Sequence, residues 1–152
     1  MTTKGLLPKI WRWTKKIFLI LFIAQFVYII LLKWINPPFT ITQLVSWVSG
    51  YGLKRDYVSN SDISYNAKLA VIASEDQLFT DHNGFDWKSI QKAMKYNERK
   101  PGRVRGASTI SQQVAKNVFL WPKRSLLRKG SDAYFTVLIE LFWSKKRTLE
   151  VY

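Results

Sequence analysis

The chain has 152 residues, a formal net charge of +14, 47% apolar and 15% aromatic residues, no cysteine and a single histidine. That length holds one domain with an appended segment, not two folded domains; the missing cysteines exclude disulfides and thiolate metal sites, and one histidine builds no zinc site alone. The composition is too apolar for a disordered chain, and the positive field selects an anionic partner such as phosphates, acidic polymers or lipid headgroups.

From Ile17 to Leu32 the sequence reads IFLILFIAQFVYIILL, apolar except for Gln25, with Lys16 and Lys33 at its edges and Trp13 and Trp34 just beyond. A membrane span needs about 20 apolar residues, and snorkelling lysines with interfacial tryptophans extend a shorter core. The pattern predicts a transmembrane helix over 17–35, after a basic tail over 1–16 and before an extracytoplasmic domain over 36–152. The run is longer than the roughly 7–15 residues of a signal-peptide core, and no A-x-A-like cleavage site follows it. Lys4, Lys9, Arg12, Lys15 and Lys16 precede the span while Lys33 alone follows it immediately, which orients the N-terminus to the cytoplasm. The domain then lies outside the cytoplasmic membrane, where nucleic acid is scarce and phosphate-bearing lipids abound.

Pro37-Pro38 breaks the helix, and ITQLVSWVSGYG reads as a short helix lying on the membrane and ending on glycines. NAKLAVIASED, beginning near Asn66, predicts a helix with Leu69, Ile72 and Ala73 on one stripe and Glu75 at or near its end. DHNGFD is a loop. WKSIQKAMKYNE places Trp87, Ile90 and Met94 at helical spacing with lysines opposite, and RKPGRVRGA is a basic loop expected to be mobile. STISQQVAKNVFL predicts a helix N-capped by Ser108, with Ile110, Val114 and Val118 packed inward and Gln112, Gln113, Lys116 and Asn117 turned to a cleft. A last helix is expected from about Ser125 to Lys145, burying Leu127, Tyr134, Val137, Leu138 and Leu141. No segment alternates like a strand, so the fold class is mainly α.

Charge is uneven along this domain. Residues 88–129 carry many lysines and arginines against the single acid Glu98, whereas Glu75, Asp76, Asp81 and Asp86 cluster around Gly84. Such a basic run is often only a solvated face, and such carboxylates often only cap helices. The other reading is a general base set beside an anion-binding belt.

EDQLFTDHNGFD, Glu75 to Asp86, resembles the first signature of the family 51 glycosyltransferases, E-D-x-x-F-x-x-H-x-G-x-D. GASTISQQ from Gly106 to Gln113, continued by VAKNVFL, is similar to the second, RKGSDA from Arg128 to the third, and KKRTLEVY to the opening of the fourth. The order and spacing agree, the match runs from about residue 45 to the end, and the hydrophobic N-terminus resembles that of the monofunctional members. The resemblance implies a lysozyme-like helical domain that polymerises lipid II with inversion, releasing undecaprenyl diphosphate. It implies Glu75 as general base, with Asp132 at the position of a second catalytic glutamate. Ser108, Thr109, Gln112, Gln113 and Asn117 would bind sugar or phosphate oxygens, and Lys116, Arg124, Arg128 and Lys129 would stabilise the departing diphosphate. Phe79, His82 and Gly84 are expected to be structural.

No cofactor is required by the sequence, although a divalent cation, Mg or Mn, bridging diphosphate oxygens and a carboxylate suits the chemistry. The partners implied are lipid II, the growing lipid-linked glycan chain, the membrane, and cell-division or elongation proteins. Two departures stand out. Asp132 is one methylene shorter than glutamate, and its spacing also suits a helical ion pair with Arg128 at i−4 or Lys129 at i−3; the chain stops at Tyr152 within the fourth signature, so the C-terminal part of the domain is expected to be missing. The alternatives are a weak or inactive lipid II-binding membrane protein and a lysozyme-like hydrolase, which needs no basic belt.

Overall fold

Helix α1, Leu6–Leu31, is built from residues that satisfy their backbone groups internally and leave apolar side chains outward. The structure, a computed structural model, describes residues 6–53, 58–123 and 125–152, and the side chains from residue 8 onward. At 1.5 Å per residue α1 is about 39 Å long, enough to cross a bilayer. Its bounds differ from the span expected over 17–35. Lys9, Arg12, Lys15 and Lys16 extend the helix at its start because they are good helix formers, and Pro8 falls in the first turn, where proline is tolerated. Lys15 lies over the Trp11 ring and Lys16 over Trp13, at 5.0 and 5.7 Å, a basic and aromatic collar beside the apolar run.

Residues 36–152 form a separate unit. Helix α2, Ile41–Val48, is closed by a capping box in which Thr40 and Gln43 satisfy each other's backbone N–H, and it lies against α5, Ile110–Phe119. Helix α3, Tyr65–Glu75, is N-capped by Ser64 and ends at Glu75, as expected. Helix α4, Trp87–Arg99, is N-capped by Asp86. Helix α6, Leu126–Phe142, and helix α7, Lys145–Val151, begin at serine caps, Ser125 and Ser144. No strand occurs among the described residues, and the mainly helical expectation holds.

The core centres on α5 and α6. Ile110, Val114 and Val118 are buried as their spacing required, and Ser111, Ala115 and Phe119 join them, so α5 is covered on most sides. Phe119 stacks on Phe135 at a centroid distance of 4.9 Å.

Apolar spacing does not mark the buried face of three of the helices, and on α6 it misplaces it. On α6 only Leu138 of the expected set is buried; Leu127, Tyr134, Val137 and Leu141 are exposed. The buried face is instead Arg128, Asp132, Thr136 and Ile139, continued by Trp143. It can face inward because its charges neutralise each other and the Thr136 hydroxyl donates to the Asp132 carbonyl at 2.7 Å. On α4 Trp87 and Met94 are exposed and Ala93 is the buried residue. Helix α3 buries nothing: Leu69 and Ala73 are exposed and Ile72 is only partly covered.

Candidate functional site

The loop joining α3 to α4 is fixed from several sides. Phe79 is 1% exposed, and the Lys145 ammonium sits 4.7 Å from its ring centre. Lys145 Nζ also donates to the His82 carbonyl at 2.6 Å and to Glu140 Oε1 at 2.8 Å, while the Ser111 hydroxyl donates to the same carboxylate oxygen. Gly84 has φ +85° and its carbonyl accepts from Thr109 Oγ1 at 2.7 Å. A Cβ there would lie 2.7 Å from Thr136 Cγ2 and 2.9 Å from Glu140 Cγ, so close approach and left-handed backbone both require glycine. Phe79, His82 and Gly84 are structural, as expected.

Two adjacent carboxylates have opposite environments. Asp76 is 7% exposed; its Oδ2 accepts the backbone N–H of Ile110 at 3.0 Å, and its oxygens accept from His82 Nε2 at 2.9 and 3.1 Å. A carboxylate only accepts, so His82 Nε2 carries a proton; its Nδ1 is buried without a partner among the described residues. Glu75 is exposed, and its Oε2 accepts from Gln113 Nε2 at 2.8 Å.

Glu75 lines a cleft of about 520 Å³ together with Asp86, Lys92, Arg105 and Ser108. The Ser89 hydroxyl and then the Ser89 N–H donate to Asp86 and hold its carboxyl below the usual carboxylate range. Tyr152 is shifted the other way. Burial, and then the negative charge of Glu75, push its phenol up, and its hydroxyl lies 3.4 Å from Gln113 Oε1.

The expected site residues separate into groups. The N-cap of α5 is Thr109, not Ser108. Thr109 Oγ1 accepts from Gln112 N and donates to Gly84, and Gln112 Oε1 accepts from Thr109 N, which commits both side chains to scaffolding. The hydroxyl one residue later in the chain wins the cap because its Gln112 partner completes the box. Ser108 is exposed at the cleft, and Gln113 reaches Glu75. Lys116 is partly covered, Asn117 and Lys129 are exposed, and none of them lines the cleft. Arg128 Nη1 bonds both oxygens of Asp132 at 3.0 and 2.9 Å, with Asp132 4% exposed, so this pair is a buried i,i+4 bridge. Arg124 lies outside the described residues.

Lys92 and Arg105 are the cleft cations that site reasoning from sequence passed over. The end of the basic loop is fastened rather than free. Asn97 Oδ1 accepts Arg105 N at 2.7 Å, Asn97 Nδ2 donates to Arg105 O at 3.0 Å, and the guanidinium stands 5.4 Å from the Tyr96 ring centre. Nothing in the spacing of Asn97 and Arg105 announced that clamp. An accessible carboxylate held by an amide, with two cations in the same cleft, can take a proton from a hydroxyl beside an anionic group.

A family model described as Transglycosylase matches residues 42–152. A biosynthetic peptidoglycan transglycosylase of Pseudomonas entomophila (strain L48) is 55% identical over 130 residues, covering 82% of this chain and 55% of that protein. Proteins of the same name from Pseudomonas putida (strain GB-1) and Pseudomonas aeruginosa PAO1 are 49% and 52% identical over 153 and 135 residues. These alignments cover 97% and 85% of this chain. The chain spans 64% and 58% of the length of those two relatives.

Proposed function

The chain belongs to the transglycosylase family, and on that premise we propose that it polymerises lipid II into glycan strands at the outer face of the cytoplasmic membrane. The observation that carries this reading is the cleft in which Glu75, held by Gln113, stands with Lys92 and Arg105. The 4-hydroxyl oxygen of the acceptor's N-acetylglucosamine attacks C1 of the donor's N-acetylmuramic acid, and its proton passes to Glu75. The bond from C1 to the diphosphate oxygen breaks with inversion, and undecaprenyl diphosphate leaves with the electron pair.

Cations stabilise charge that grows on the leaving group. Lys116 and Lys129 are the described members of the expected set not committed to a carboxylate bridge, and Lys92 and Arg105 add positive charge beside Glu75. Asp132 acts through Arg128, whose guanidinium it fixes. Among the described residues no three His, Cys, Asp or Glu side chains converge to hold a metal; a Mg or Mn ion bridging the diphosphate oxygens would need only one carboxylate of the cleft.

Helix α1 would anchor the domain in the inner membrane with the N-terminus in the cytoplasm, a reading supported by its length and by the cations at its start. The exposed Ile41, Leu44, Val45 and Trp47 of α2 suit contact with the membrane surface. Incubation of the protein with labelled lipid II tests the proposal. Lipid-linked polymer is expected. Cleavage of preformed glycan would instead indicate a hydrolase, and binding without product a lipid II-binding protein.

A further inference from the structure

Gln113 is joined to three segments at once: its own helix α5, the end of α3 through Glu75, and the residue after α7 through Tyr152. A primary amide has one accepting end and one donating end. An ionised carboxylate tolerates only the donating end, so Nε2 faces Glu75 and Oε1 must face Tyr152. Tyr152 suits that place only while its phenol is protonated and can donate. Burial and the Glu75 charge both favour the protonated phenol. The distance from Tyr152 Oη to Gln113 Oε1, 3.4 Å, is long for a hydrogen bond, so this is the weaker of the two links.

We propose that Tyr152 and Gln113 are positioning residues that brace the Glu75 carboxylate toward the cleft. The catalytic consequence rests on Glu75 being the general base, as proposed above. Without the brace an exposed glutamate samples several rotamers, and its charged form loses a directed donor. Both changes reduce the fraction of protein ready to accept a proton. The other charged groups of the cleft, Asp76 at the end of α3, Asp86 and Lys92 from the loop and α4, and Arg105 before α5, are untouched by substitution at 113 or 152.

Tyr152→Phe and Gln113→Met separate bracing from simple packing, because each keeps most of the volume and removes the polar link. For lipid II polymerisation we expect kcat to fall about tenfold in Gln113→Met, less in Tyr152→Phe, with KM changed under about twofold. ¹³C relaxation of the Glu75 side chain reads the brace without catalysis, and its order parameter should fall in both variants. An unchanged order parameter in both, with circular dichroism matching the parent protein, overturns the proposal. If the parent protein makes no polymer, the polymerase reading fails while the NMR relaxation still decides the brace.

Discussion

The carboxylate of Asp76 accepts the backbone N–H of Ile110 at 3.0 Å, so the residue that closes α3 also caps the first turn of α5. Helix N-termini carry orphan donors and partial positive charge, and a buried carboxylate satisfies both. Fixing Asp76 in this way leaves its neighbour Glu75 exposed at the cleft, where the second helix supplies Gln113 to hold it.

Asp76→Ala should therefore destabilise the protein strongly, since it strands a buried helix N–H and the His82 donor. A loss of about 3 kcal/mol is expected from urea unfolding in detergent. Glu75→Gln, an exposed change, should stay within about 0.5 kcal/mol of the parent in the same measurement. Comparable losses in the two variants would contradict this division of roles.

Gly84→Ala places a methyl group against Thr136 and Glu140 at a residue with φ +85°. Backbone strain and overpacking together should cost about 3 kcal/mol. Adding Thr136→Ser removes the nearest methyl while keeping the hydroxyl that donates to the Asp132 carbonyl. The double variant should recover part of the loss, and no recovery would show that the Thr136 methyl does not contribute to it.

Arg128 and Asp132 form a buried pair, so removing either partner leaves the other charged group uncompensated. Arg128→Ala and Asp132→Ala should each lose about 3 kcal/mol, and the double variant should lose less than their sum by more than about 1 kcal/mol. Additive losses in that double-mutant cycle would mean the two side chains do not depend on each other.

Acid stability is expected to report Asp86. Its carboxyl is held low in the folded protein, by the Ser89 hydroxyl first and the Ser89 N–H second. The unfolded chain therefore binds the proton more readily. The stability that Asp86 contributes is complete above the ordinary aspartate value of about 3.9 and is lost as pH falls through the lower folded value. Asp86→Asn keeps an oxygen to cap α4 but does not titrate. Between pH 7 and pH 3 its urea midpoint should fall less than that of the parent, and an equal fall would remove Asp86 as a contributor.

The sequence carried the starts of α2, α3, α4 and α6 because capping and breaking are local, but it misplaced the bounds of α1 and the cap of α5 and did not foresee α7. Thr40, Ser64, Asp86 and Ser125 all stand at helix starts, and Glu75 ends α3. It carried the buried face of α5 because Ile110, Val114 and Val118 are apolar at helical spacing. The i,i+4 spacing announced the Arg128–Asp132 pair, but the buried face of α6 was missed, because apolar periodicity does not count a neutralised charged pair as a face that can turn inward. The site divided in the same way. Motif matching picked out Glu75 and Ser108 of the cleft lining, and Gln113 that holds Glu75, but not Lys92 and Arg105, because the clamp that fastens Arg105 joins an ordinary asparagine of α4 to loop backbone and leaves no pattern in the sequence.

The central claim is that the Glu75 carboxylate takes the proton of the attacking sugar hydroxyl. The most direct measurement is lipid II polymerisation by Glu75→Gln beside the parent protein, with lipid II binding measured on the same samples. Loss of a general base predicts a rate at least about 100-fold lower with binding retained. Polymer formed by Glu75→Gln at the parent rate would contradict it.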